Sequence, residues 1–379
     1  MRWYELKPAT LVESARIQHA EDMIFWEGSA GAIKALESLT AIDKGEHDDV
    51  TVKWDGSPAV IFGRNDSGEF VLTDKSGFGA KGYDGKSKSA KDLEQMLLNR
   101  KINRGQDIPD SYKQFAARMK SIFSYFETAV PVDHKGFFKG DLLYFQTPKL
   151  QDNKFVFTPN VVTYTVDTTS DIGKKIAQSK VGVVVHNEID IQGSDKSLTI
   201  DVGKFFLGKD LLVMPPVTMQ KAANIDDDII RAVKQQINQN KNNIDTLLNK
   251  NTLTTDKLAD LPNILYTYTN AKVDSGMQNL GTDFFDWLAK SKVSQPKQKR
   301  IASHIQKNKN GFNALWNIVK MIQQIKDDVI NQFDNHDIAV KASIGNNTGG
   351  EGYVMRRPWG NVKLVNRAGF TAANRAIDR

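Results

Sequence analysis

The sequence predicts an α+β chain carrying a helical insertion, and three observations predict it. Short β-branched and aromatic runs, separated by Gly, Ser, Pro and Asp, recur between residues 50 and 206. From about 218 to 338 glycine is scarce, Gln, Asn, Lys and Asp dominate, and the apolar residues recur at helical spacing. Strand texture then resumes in EGYVMRR (351–357) and NVKLVNR (361–367). The simplest arrangement is one domain of residues 1–215 and 340–379, whose two β-rich parts meet in space, with 216–339 as the helical insertion.

Taken in order, residues 1 to about 48 read as helical. Ser29 is suited to cap a segment in which Ala32, Ile33, Leu36, Leu39 and Ile42 recur at helical spacing. VTVK (50–53), AVIFGR (59–64) and EFVLTD (69–74) read as strands joined by turns. A Gly- and Lys-rich loop follows at 76–91, with Gly77, Gly79, Lys81 and Gly82. Its glycine spacing is not that of a phosphate-binding Walker loop. Helices are expected near 90–100 and 110–128, and strands at 137–145, 154–166, 181–191 and 198–206.

Composition removes several function classes. With 379 residues, 40% of them apolar, the chain is long enough for a sizeable core and for two or three domains. No apolar run approaches the ~20 residues that span a bilayer, so no membrane partner is expected. The N-terminus has no apolar signal core, and there is no cysteine, which excludes disulfides, thiolate metal sites and cysteine nucleophiles. A cytoplasmic location is the expectation. Lys plus Arg is 51 against 45 for Asp plus Glu, a formal charge of +6 that permits a polyanionic partner. The six histidines show no metal-ligand spacing and read as ordinary core or surface residues.

Four short motifs carry candidate chemistry. Lys53-Trp54-Asp55-Gly56 ends a strand: a strand-end amine becomes a nucleophile when its proton is lost, and glycine lets the backbone turn or approach a ligand. Asp141 lies inside FFKGDLLYF, where a carboxylate needs a partner or a cation. Glu351-Gly352-Tyr353-Val354 opens a strand after a Gly-rich loop, and Lys363 sits among branched apolar residues in VKLV. Singly, each is equally readable as a turn, a wet strand face or a solvated side chain.

In this order the set resembles the covalent nucleotidyltransferase superfamily of polynucleotide ligases and messenger-RNA capping enzymes. Lys53 to Gly56 looks like its adenylation motif, Glu351 to Val354 like its fourth motif and Lys363 like its fifth. Asp141 stands where that family usually has glutamate, and Lys75 lies in a segment resembling one that contacts the nucleotide. VTYTVD (162–167) resembles the segment supplying an aromatic ring against adenine, which would be Tyr164. The resemblance implies an adenylation domain of antiparallel sheets flanked by helices. It implies Lys53, Asp55, Glu351 and Lys363 as catalytic residues. Gly56, Lys75, Asp141 and Tyr164 would join Lys53, Glu351 and Lys363 in holding ATP, with Mg²⁺ (or Mn²⁺) on Glu351 and Asp141. Only 16 residues follow Lys363, too few for a C-terminal OB-fold, so the chain looks more like the phage-type RNA ligases. Expected partners are RNA or DNA ends or nicks. A DNA ligase using the helical insertion in place of the OB-fold, or an inactive nucleic-acid-binding protein of the same fold, are the alternatives. Within the insertion, Lys290, Lys292, Lys297, Lys299, Arg300, Lys307 and Lys309 form a basic run with no acids.

Overall fold

The computed structural model describes residues 18–78, 87–190, 194–367 and 370. The expected helix over 1–17, the loop residues Gly79, Lys81 and Gly82, and the strand end at 191 lie outside them. Along the chain the elements run β1 (Gln18–His19), α1 (Met23–Asp43), β2 (Val50–Val52), β3 (Ala59–Arg64), β4 (Phe70–Asp74) and the one-turn α2 (Lys75–Phe78). Next come α3 (Ala90–Ile102), α4 (Asp110–Ala129), β5 (Gly136–Tyr144), β6 (Lys149–Gln151), β7 (Lys154–Phe157) and β8 (Thr163–Asp167). They are followed by α5 (Asp171–Gln178), β9 (Val181–Ile189), β10 (Asp195–Ser197), α6 (Val202–Phe205) and β11 (Leu211–Val213). Helices α7 (Asp227–Leu247), α8 (Lys250–Thr255), α9 (Leu261–Ala271), α10 (Leu280–Lys290), α11 (Gln295–Lys307) and α12 (Lys309–Asp334) form the helical stretch. The chain then passes through β12 (Val340–Ile344), β13 (Asn347–Thr348), β14 (Gly352–Met355) and β15 (Val362–Val365). The fold is mixed α+β, and among the described residues no sheet closes into a barrel. No helix among them is long and apolar enough to cross a membrane.

Two compact units divide the chain. Among the described residues the first holds 55–78, 87–190 and 194–215, the second 18–54, 216–367 and 370. In the first, strands run β10-β9-β5-β3-β4, with β11 added parallel to β9. Period-two alternation explains its two faces. Val60, Phe62, Phe70 and Leu72 point toward Leu93 and Leu97 of α3 and Met119, Phe123 and Phe126 of α4. Ile61, Val71, Phe137 and Ile189 form a smaller cluster with Phe78. Strands β6, β7 and β8 make an antiparallel meander in the same unit.

The second unit is built on the four-stranded sheet β1-β15-β14-β2. Segments from both ends of the sequence therefore share one sheet: β2 pairs antiparallel with β14, and β1 parallel with β15. Val50, Met355, Val362, Leu364 and Tyr353 join one core with α1, α7 and α12. In α1, Ala32, Ala35, Leu36, Leu39 and Ile42 are buried and Ile33 packs against the same core. Ser29 does not act as a cap. The helix breaks at Gly28 (φ 61), and the Asp245 carboxylate of α7 accepts both the Ser29 N–H and its hydroxyl, each at 2.8 Å. A second tie is fully buried: Lys326 Nζ donates to Glu21 at 2.7 Å, and Arg367 donates to both oxygens of Asp22 at 2.9 and 2.6 Å.

Three expectations need correction. The segment 198–206 is not a strand; Asp201 accepts the Gly203 N–H at 3.0 Å and starts the turn of α6, while Leu198, Ile200 and Phe205 pack on the core as a strand would. The run 154–166 splits into β7 and β8. Residues 18–19 are a strand because they pair with Val362 and Lys363. The compact units divide the described chain between Trp54 and Asp55 and between Pro215 and Pro216. The helices of 216–339 share a single core with α1 and with β14 and β15, so they do not stand apart from 17–54 and 340–379. Lys326→Met leaves Glu21 buried without its ammonium, and we expect a loss of about 3–5 kcal/mol in denaturant unfolding. A loss near zero would show that Arg367 alone satisfies Glu21.

Candidate functional site

The four-stranded sheet of the second unit has two chemically different faces. Cross-strand register puts Leu364, Tyr353 and Val52 in one row and Val362, Met355 and Val50 in another. This is the face packed against the helices. The opposite face carries the row His19, Lys363, Val354, Thr51, and Lys53 follows Thr51 by two residues. Lys53 continues the line of β2, its N–H donating to the Gly352 carbonyl at 2.9 Å. Its ammonium forms an ion pair with the Glu351 carboxylate, both side chains being half-buried. Gly352 is required here. Its φ is +130°, and a Cβ would stand 2.2 Å from the Leu364 carbonyl oxygen. The glycine thus allows β15 to lie close against the strand that presents Glu351.

The structure accordingly brings Lys53, Glu351 and Lys363 to one sheet face. It adds His19, which no feature of the sequence marked. The His19 Nδ1 is enclosed and has no hydrogen-bond partner among the described residues. Burial, then the Arg367, Lys326, Lys363 and Lys53 cations, hold its pKa well below the ordinary value, so the imidazole is neutral. Behind it lie Glu21 and Asp22. Burial opposes ionisation of Glu21, but Lys326 and Arg367 outweigh it and hold its pKa low. Burial pushes Asp22 up to about 6 in spite of Arg367.

Asp55, Gly56, Lys75, Asp141 and Tyr164 belong to the first unit, the division falling between Trp54 and Asp55. Gly56 fits where a Cβ would meet Asp141 Cβ and the Leu142 carbonyl oxygen, each at 2.7 Å. Asp55 is buried, with Asn160 Nδ2 3.3 Å from its carboxylate. The Asp141 carboxylate is 2.8 Å from Nε2 of His186, a partner on neighbouring β9 that the sequence did not reveal. Lys75 is exposed at the start of α2. Tyr164 is fully buried, its ring packs 5.6 Å from that of Phe157, and its hydroxyl accepts the Asp55 N–H at 2.5 Å, so no face of the ring is open to a base. A separate cleft of about 280 Å³, lined by His134, Phe137, Glu188 and Lys196 among others, contains none of the expected site residues. No group of three or more metal-ligating side chains occurs among the described residues.

Residues 15–379 match DUF6267, a family of unknown function, and the chain belongs to that family. No curated protein and no solved structure is significantly similar to it.

His19 also makes stability depend on pH. Below the ordinary value of 6.5 the unfolded chain takes up a proton that the folded imidazole refuses, so stability falls as pH falls through that value. Asp22, with its raised pKa, acts in the opposite sense below about 6. Comparing His19→Gln with the wild type at each pH removes the Asp22 contribution. From pH 7.5 toward 5.5 the wild type should lose up to ~1.4 kcal/mol per pH unit relative to the variant. Parallel pH curves from denaturant melts would show that His19 is protonated in the fold.

Proposed function

We propose that the chain is a covalent nucleotidyltransferase acting as an ATP-dependent polynucleotide ligase of the RNA type. The observation that carries this reading is the meeting of Lys53 with Glu351, 298 residues away, beside Lys363 on one polar sheet face. A buried apolar face of the same sheet holds the strands in register, so the amine, carboxylate and second cation are pre-positioned.

In this reading the Lys53 amine, after losing a proton, attacks the α-phosphorus of ATP. The N–P bond forms as the bond to the pyrophosphate oxygen breaks, and pyrophosphate leaves with its electron pair. Glu351, already the acceptor of the Lys53 ammonium, is placed to take that proton. Lys363 offers fixed positive charge to the α-phosphate oxygens. Neutral His19 adds no further cation beside the two lysines. Mg²⁺, or Mn²⁺ in its place, would neutralise phosphate charge. A single half-buried carboxylate, Glu351, suits an ion that takes most of its oxygens from phosphates and water. The AMP would then pass to a 5′-phosphate end, and a 3′-hydroxyl would displace it to join the strands.

Incubation with α-labelled ATP and Mg²⁺ should give a labelled protein, acid-labile and base-stable. Lys53→Ala should stay unlabelled while melting normally, and Lys363→Met should label roughly 10²–10³-fold more slowly. Absence of label on the wild type, or label on Lys53→Ala, would overturn the reading. Nicked substrates with ribose or deoxyribose on either side of the break separate the RNA from the DNA branch.

A further inference from the structure

The charge of the chain is concentrated in one place. Residues 287–326 contain no Asp or Glu and nine Lys or Arg, so they carry +9 while the rest of the chain sums to −3. Two of the nine are neutralised within the fold: Lys297 pairs with Asp260 at 2.5 Å, and Lys326 is buried on Glu21. Lys290, Lys292, Lys299, Arg300, Lys307 and Lys309 are exposed and form no ion pair among the described residues.

The helices sort these side chains. On α11, Ile301, His304 and Ile305 are buried, and Lys299, Arg300, Ser303, Gln306 and Lys307 occupy the exposed side. On α12 the exposed positions 309, 313, 317 and 320 recur at helical spacing and are Lys, Asn, Asn and Lys. Both stretches therefore carry cations and amide or hydroxyl donors, and the exposed carboxylates nearest to them in sequence are Asp286 of α10 and Asp328 of α12. An aromatic ring joins the two stretches. Phe285 of α10 is 38% exposed, and its ring lies 6.0 Å from that of Phe312, one turn along α12 from Lys309. Solvated helix faces are usually of mixed sign, because like charges repel one another. Here the repulsion is tolerated in a chain whose remaining charge is negative.

We propose that the exposed faces of α10, α11 and α12 bind single-stranded nucleic acid, the lysines and arginine meeting phosphates and Phe285 stacking on a base. Spaced cations suit a phosphate backbone, Asn and Gln suit sugar and base edges, and an open ring suits unpaired bases rather than a duplex or a lipid surface. The site lies within the second unit and does not depend on whether Lys53 carries a nucleotide.

The test uses the full chain without ATP or Mg²⁺. Anisotropy of labelled oligouridylate and oligothymidylate, about 20 nucleotides long, is followed as salt rises from about 50 to about 200 mM. The variant Lys299→Ala, Arg300→Ala, Lys307→Ala should have a log–log salt slope smaller by about 2, so the wild type loses roughly 20-fold more affinity over that range. Phe285→Ala should weaken binding roughly 5- to 100-fold and leave the slope unchanged. The substituted positions are exposed, and thermal melts confirm that the variants fold. An unchanged slope in the triple variant would overturn the proposal. So would equal affinity for duplex of the same length, or tighter binding to phosphatidylserine vesicles or polyglutamate.

Discussion

The second unit depends on a buried group of four charges. Glu21 and Asp22 follow β1, Lys326 comes from the middle of α12, and Arg367 follows β15. All are buried, so each charge would be prohibitively expensive alone. Together they balance, two anions against two cations, and Arg367 engages both oxygens of Asp22. The arrangement has a geometric result. A parallel pairing only two residues long, between β1 and β15, would slip without an anchor; the Arg367–Asp22 fork supplies one immediately beside it. That register sets His19 against Lys363.

From there the polar face follows. Val52, Tyr353 and Leu364 must face the helices, so Thr51, Val354 and Lys363 must face away, and Lys53 lies on the same side as Thr51. The candidate chemistry is thus a by-product of apolar packing on the reverse side. Lys53 has Glu351, His19 stays uncharged, and the acids behind it are committed to Lys326 and Arg367.

Much of the local structure was legible in the residues. Alternating runs marked β3 residue for residue, and the helical pattern placed α3 and α4 within a few positions. Gly56 pointed to a turn or a close approach, and its position is crowded by Asp141 and Leu142. What failed was decided by distant partners. The 198–206 run has strand-like apolar residues, yet one Asp201 hydrogen bond turns it into α6. The hydrogen bond between the Tyr164 hydroxyl and the Asp55 backbone joins residues 109 apart and has no local signal. His19 and His186 have no local pattern, because their neighbours Lys363 and Asp141 are placed by strand pairing. The grouping of the helical stretch with both chain ends is likewise a matter of which apolar faces meet, and periodicity does not say what a face meets.

The break at Gly28 has a consequence for synthesis on the ribosome. The amide and hydroxyl of Ser29 find their acceptor in Asp245, 216 residues later, and Glu21 waits for Lys326, 305 residues later. Residues 55–215 are contiguous and are complete before either partner has emerged. The N-terminal helix is thus made first and docked last. For the roughly 15–65 s that elongation needs to reach Arg367 at about 5–20 residues per second, its apolar side stays uncovered and open to chaperones.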